Sequence, residues 1–103
     1  MKAHTKVYLK HFGYDMSSFI SCEICGTKAV DIHHIHRRGT GGSDEADRVE
    51  NLQAICRSCH WELGDKKQHK ANLYILHLRA LKAGKKPFDE KWINEQIKKY
   101  ANH

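Results

Sequence analysis

Cys56-Arg57-Ser58-Cys59-His60 is the stretch from which the rest of this sequence is read. Two thiols separated by two residues sit on one turn of chain and can grip a single metal ion. A tetrahedral thiolate site needs a second such pair. Cys22-Glu23-Ile24-Cys25 supplies it, with 30 residues between the pairs. Together they make the pattern of a structural zinc site, which pins loops that a small core cannot fix alone. Four cysteines in 103 residues is also too few for a disulfide scaffold, where cysteine reaches ~8–10%. Cys56-x2-Cys59-His60 also matches c-type haem attachment, but that reading leaves Cys22 and Cys25 without a role.

Outward from the cysteines the chain divides into short elements. Residues 4–12 are expected as a helix ended by Gly13, and residues 14–21 as irregular. Cys22 to Gly26 reads as a tight knuckle. Ala29 to Ile35 is β-branched enough for a strand, and Leu52 to Ile55 for an antiparallel partner. Gly39-Thr40-Gly41-Gly42-Ser43-Asp44 between them reads as a loop. Cys56 to Gly64 begins a helix. Residues 68–83 place Leu73, Leu76 and Ala80 on one helical face with Leu81 close by, and Gly84 ends that helix. Asp89 is placed as an N-cap, with Phe88 and Ile93 as a hydrophobic staple, for a last helix carrying Trp92, Ile93, Gln96 and Tyr100 on one face. The fold class expected is α+β: a zinc-knuckle hairpin and helix, then C-terminal helices.

The length argues for one domain, 1–103, made of a zinc-bound core at 22–64 and a helical basic extension at 65–103. Its longest apolar run, Leu73-Tyr74-Ile75-Leu76, is four residues against about 20 for a membrane span. Met1-Lys2-Ala3-His4-Thr5-Lys6 lacks the apolar stretch of a signal peptide, so a reducing cytoplasm is expected and no membrane. The net charge is +6, and it is uneven. Residues 1–60 carry 8 basic and 7 acidic groups, residues 61–103 carry 10 and 5. That excess suits a polyanionic partner, or a solvated surface that keeps the chain soluble.

Nine histidines are the other unusual feature. Val30-Asp31-Ile32-His33-His34-Ile35 lies on the first strand and His60 follows the last cysteine. Closing the cysteine site therefore brings His33, His34 and His60 near one another. In this arrangement, Cys22/Cys25, Asp31-Ile32-His33-His34-Ile35, Gly41-Gly42-Ser43-Asp44, Asn51-Leu52 and Cys56-x2-Cys59-His60, the sequence resembles the HNH endonuclease family (ββα-metal, or His-Me finger, nucleases), specifically members with a four-cysteine zinc site. The resemblance spans residues 22–60.

The resemblance implies a ββα-metal fold in which a hairpin and a helix hold one catalytic divalent ion. Carried over by position, it makes His33 and His60 ligands of that ion, His34 the general base, and Asn51 the residue that fixes the hairpin loop and so holds His34. Mg²⁺ is the ion expected, with Mn²⁺ or Ni²⁺ as substitutes. The implied reaction is hydrolysis of DNA to 5′-phosphate and 3′-hydroxyl ends. The chemistry is coherent on its own terms. An imidazole takes a proton near neutral pH, and a cation offsets the charge that develops on phosphate and leaving oxygen. Adjacent strand residues point to opposite faces, so His33 and His34 flank one phosphate only if the strand ends or bulges there. Asp31 is either an acceptor that orients His33 or a ligand itself.

Arg37 and Arg38, beside the site, are candidate phosphate contacts. Lys66, Lys67, Lys70, Lys82, Lys85, Lys86, Lys98 and Lys99 could extend contact along DNA. His36 reads as a solvated loop residue, and His4, His11, His69, His77 and His103 as surface or packing residues. His33, His34 and His60 could alternatively join the cysteines in a binuclear zinc cluster. Proteins resembling this one occur in bacteriophages and mobile elements, some beside packaging machinery, so a protein partner fits, as monomer or homodimer. Two non-catalytic readings stand beside the nuclease: a zinc-stabilised DNA-binding module, and an adaptor that would expose an apolar stripe on residues 68–101.

Overall fold

The computed structural model describes residues 2–15, 17–37, 46–64 and 66–101. Arg38 and the glycine-rich loop at 39–44 lie outside the described residues. The element order is α1 (Ala3–Phe12), β1 (Asp31–His34), β2 (Leu52–Ile55), α2 (Arg57–Cys59), α3 (Lys70–Gly84) and α4 (Glu90–Ala101). A π-helical turn, His60–Gly64, continues α2, and a 3₁₀ turn, Val49–Asn51, leads into β2. This is an α+β fold with an antiparallel hairpin, a helix behind it, and helices following.

The hairpin pairs Asp31 with Ile55, Ile32 with Ala54, His33 with Gln53 and His34 with Leu52. Strand alternation sorts its side chains onto two sides. Ile32 packs with Leu52, Ala54 and Tyr8 of α1. Ile35 packs with Leu73, Tyr74 and Leu81 of α3 and Ile93 and Tyr100 of α4. Each such buried side chain contributes about 1.5–3 kcal/mol relative to exposure. A third small cluster joins Cys22, Ile55 and Cys56.

Local chemistry explains the boundaries. Gly13 ends α1 at φ +74°, and Gly26 closes the knuckle at φ +82°, both left-handed positions where a Cβ is strained. Asp89 caps α4 by accepting from the Trp92 amide at 3.0 Å. Three expectations need correction. β1 is shorter than Ala29–Ile35. Gly84 is the last residue of α3 rather than its stop. The left-handed turn falls on Lys85 at φ +63°, and Phe12 lies in ordinary contact range of Gly84, 3.4 Å from where a Cβ would stand. The buried face of α3 is Leu73, Tyr74, His77 and Leu81, rotated from the Leu73/Leu76/Ala80 face. Tyr74 and His77 bury because their polar atoms are hydrogen-bonded, which apolar periodicity does not register.

His77 centres a buried polar network. Its Nε2 donates to the Val49 carbonyl at 2.7 Å, and its Nδ1 lies 2.8 Å from Glu23 Oε1. Glu23 also accepts from the Tyr8 hydroxyl. The carboxylate between the first two cysteines is thus tied to both α1 and α3. His77, expected as a surface or packing residue, is a structural one. No helix among the described residues is long and apolar enough to cross a membrane.

Candidate metal centre and active site

The four cysteines converge. One sulfur from each of Cys22, Cys25, Cys56 and Cys59 lies within 4.8 Å of the others. Cys25 and Cys56 Sγ are 3.6 Å apart, far beyond a disulfide bond and close to the roughly 3.8 Å edge of a tetrahedron with zinc–sulfur bonds of about 2.3 Å. The backbone is already arranged to receive charge. The Ile24 amide points at Cys22 Sγ and the Cys59 amide at Cys56 Sγ, each at 3.4 Å. The Cys59 N–H holds the Cys56 thiol down, to about 6, while burial pushes the Cys59 thiol up. The Thr27 hydroxyl, 3.0 Å from Cys25 Sγ, lowers that thiol as well. Four sulfurs this close cannot all ionise without a cation between them, and the donor set fits zinc.

His33 and His34 leave the hairpin toward different neighbours, as strand alternation requires. His33 is buried and meets His60, with ring centroids 4.8 Å apart. Its Nε2 donates to the Gly64 carbonyl at 2.7 Å. In that tautomer Nδ1 carries the lone pair, the arrangement common in histidines that bind metal while giving their other N–H to a carbonyl. The π-helical turn brings Gly64 up against both rings. A Cβ on Gly64 would stand 2.6 Å from His60 Cδ2 and 3.4 Å from His33 Nε2. Gly64 therefore sits against both candidate ligand rings. Sequence reasoning treats it only as a helix end, although a glycine one helical turn after His60 is the available signal.

His34 turns to the α1 side. Its Nε2 lies 2.7 Å from Asp47 Oδ1, with both side chains partly exposed. The His4 ring stacks at a tilt on it, centroids 4.3 Å apart. Burial, with the His34 imidazole adding to it, holds the His4 imidazole below its ordinary value. Asp47 and His4 are both absent from the sequence-level assignment. Neither sits in a motif, and only the folded hairpin and α1 bring them to His34.

Asn51 is fully buried and uses its whole amide. Oδ1 accepts from the His36 amide at 2.8 Å and the Tyr74 hydroxyl at 2.6 Å, and Nδ2 donates to the His36 and Ala46 carbonyls at 3.0 and 2.8 Å. It clamps the two ends of the hairpin loop. His36 is half-buried, with Nδ1 2.8 Å from the Tyr100 hydroxyl, and is not the solvated residue expected.

Asp31 is exposed at the strand's start and belongs to no ligand cluster among the described residues. Arg37, Lys66 and Lys67 are exposed. Lys70, expected among the surface lysines, is 8% exposed and donates to the Ile35 carbonyl at 2.5 Å, so it holds the hairpin and cannot reach a ligand. The apolar faces of α3 and α4 are buried against each other and Ile35.

Residues 22–66 match the family model described as HNH endonuclease. The matched segment contains the four cysteines, His33, His34, Asp47, Asn51, His60 and Gly64, and leaves out α1, α3 and α4. The comparison with curated proteins found no match, nor did that with solved structures.

Proposed function

We propose, on the premise that residues 22–66 form an HNH domain, that this chain is a metal-dependent endonuclease acting on DNA. The observation that carries the reading is the split of the histidine pair: His33 faces His60, while adjacent His34 is held by a carboxylate.

His34 is the general base. With Nε2–H donated to Asp47, Nδ1 holds the lone pair and takes the proton of the attacking water. Asp47 fixes that tautomer and offsets the imidazolium formed. Asn51 keeps the loop ends closed, so the ring does not wander from the scissile phosphate. His33 and His60 are neutral ligands that leave an ion's charge undiminished. His33 and His60 would hold a divalent ion, Mg²⁺ in this reading, which would supply positive charge to offset the negative charge developing in the reaction. Water attacks phosphorus, the bond to the 3′ oxygen breaks, and the ends are 5′-phosphate and 3′-hydroxyl. Arg37, Arg38, Lys66 and Lys67 contact flanking phosphates without reading bases, so sequence preference is weak.

The test is nicking of supercoiled plasmid by zinc-loaded protein with Mg²⁺, Mn²⁺ or Ni²⁺. Wild type cuts, and His34→Ala, folded and zinc-loaded, does not. Cys22→Ala fails by losing zinc and fold. Binding without cutting under all three ions would replace this reading with that of a DNA-binding module.

A further inference from the structure

His4 lies outside the segment matched to the HNH family, yet it completes a second group of metal-ligating atoms. One ligand atom from each of His4, His34 and Asp47 lies within 4.8 Å of the others. The three come from separate parts of the chain: α1, the end of β1, and the turn before β2. The convergence is built into the packing of α1. Tyr8, one helical turn after His4, is buried against Ile32 and Leu52, and its hydroxyl is fixed by Glu23. Residues four apart share a helix face, so seating Tyr8 over Ile32 seats His4 over His34, two residues further along the strand.

We propose that His4, His34 and Asp47 form a binding site for a divalent transition-metal ion, Zn²⁺ foremost, distinct from the four-cysteine site, and that an ion bound there shuts off proton transfer by His34. The second half rests on the reading of His34 as general base. Two imidazoles and one carboxylate make a nitrogen-rich set that suits zinc, nickel or copper. The geometry is close to what such an ion needs. His34 Nε2 and Asp47 Oδ1, now 2.7 Å apart, would open to about 3.3 Å around a tetrahedral ion with bonds of about 2.0–2.1 Å. With His34 16% and Asp47 26% exposed, the ion enters from solvent and keeps room for water as a further ligand. A neutral imidazole has one lone pair. Whichever nitrogen of His34 gives it to the ion, none remains to accept a proton from water. The N-terminal helix thereby becomes the element that lets a competing metal silence the site.

The test starts from protein with its cysteine site filled. Further Zn²⁺ is titrated by calorimetry into wild type, His4→Ala, Asp47→Asn and His33→Ala. We expect His4→Ala and Asp47→Asn to lose, or weaken by about tenfold or more, the same class of bound zinc. His33→Ala should retain that class. Zinc should inhibit Mg²⁺-supported plasmid nicking by wild type, with half-inhibition moved about tenfold or more upward by His4→Ala. Circular-dichroism melting verifies that His4→Ala is folded. Zinc stoichiometry and affinity equal in wild type and His4→Ala would overturn the site. Inhibition that His4→Ala does not relieve would overturn the silencing, placing the inhibitory ion at His33 and His60. If the His4-dependent zinc binds but no nicking occurs under Mg²⁺, the nuclease reading fails while the site stands.

Discussion

Gly64 gives its backbone oxygen to His33, 2.7 Å from Nε2, and at the same position its missing side chain admits the ring of His60. One residue thus fixes a tautomer and makes space for the neighbouring ring. A Cβ 2.6 Å from His60 Cδ2 must displace that ring. Gly64→Ala is expected to lose most plasmid nicking. Its stability should fall only modestly, by about 1–2 kcal/mol, because overpacking is partly offset by alanine's better helix propensity. Urea denaturation and nicking on the same preparation check this. Nicking at the wild-type rate would remove Gly64 from the site.

Asp47→Ala removes the acceptor that holds Nε2–H of His34. Nicking is expected to slow by about 10–100-fold, with melting little changed at this partly exposed position. A single-turnover time course under saturating Mg²⁺ measures it. An unchanged rate would mean that His34 is oriented by something else.

Asn51→Ala strips four hydrogen bonds from a fully buried amide and leaves the His36 N–H and the Ala46 carbonyl without it. The expected loss is about 3 kcal/mol. Amide hydrogen exchange should quicken first at His36. A loss within about 0.5 kcal/mol, the range of ordinary surface substitutions, would contradict the clamp.

Lysines that look alike in sequence separate in the fold. Lys66→Ala and Lys67→Ala should each weaken DNA binding and reduce the slope of log affinity against log salt by about 1. Lys70→Met should leave that slope alone and cost about 1–2 kcal/mol of stability, through the lost contact with the Ile35 carbonyl. Filter binding from 50 to 300 mM salt (roughly the range where phosphate contacts are resolved) distinguishes them. An equal slope change for all three would return Lys70 to the surface.

Zinc affinity should depend on pH with a definite shape. Zinc displaces thiol protons, so affinity falls as pH falls. The Cys59 amide holds Cys56 down to about 6, below the ordinary thiol value, so above that pH the ion displaces almost no proton there. Cys59, held up by burial, gives up a proton throughout. The plot of log affinity against pH therefore steepens by about one proton as pH drops through 6. Competition with a chelator between about pH 5 and 8 tests it, and a constant slope across 6 would refute it.

Much of this was legible before the fold. The two Cys-x2-Cys pairs need each other, and that need sets the hairpin and α2. The bounds of β2, the α1 stop at Gly13 and the Asp89 cap follow from local chemistry alone. What was hidden is tertiary. His4 and Asp47 have no spacing relation to His34, and only the seating of Tyr8 and the Asn51 clamp brings them near. Lys70 reads as a surface residue and His77 as a surface or packing one, because their burial is compensated by carbonyls and a carboxylate elsewhere in the chain. The rotated face of α3 has the same cause, since a buried tyrosine or histidine breaks apolar periodicity without weakening the packing.

Glu23 sits between the two cysteines of the knuckle while its carboxylate is shared by Tyr8 of α1 and His77 of α3. Loosening the knuckle moves Glu23, and with it a hydroxyl and an imidazole buried in two other elements. Those groups have no water to turn to, so the loop cannot open by itself. Metal loss is thereby made a cooperative event: the knuckle, the first helix and the long third helix form one unfolding unit, and their amides should exchange together once zinc is gone.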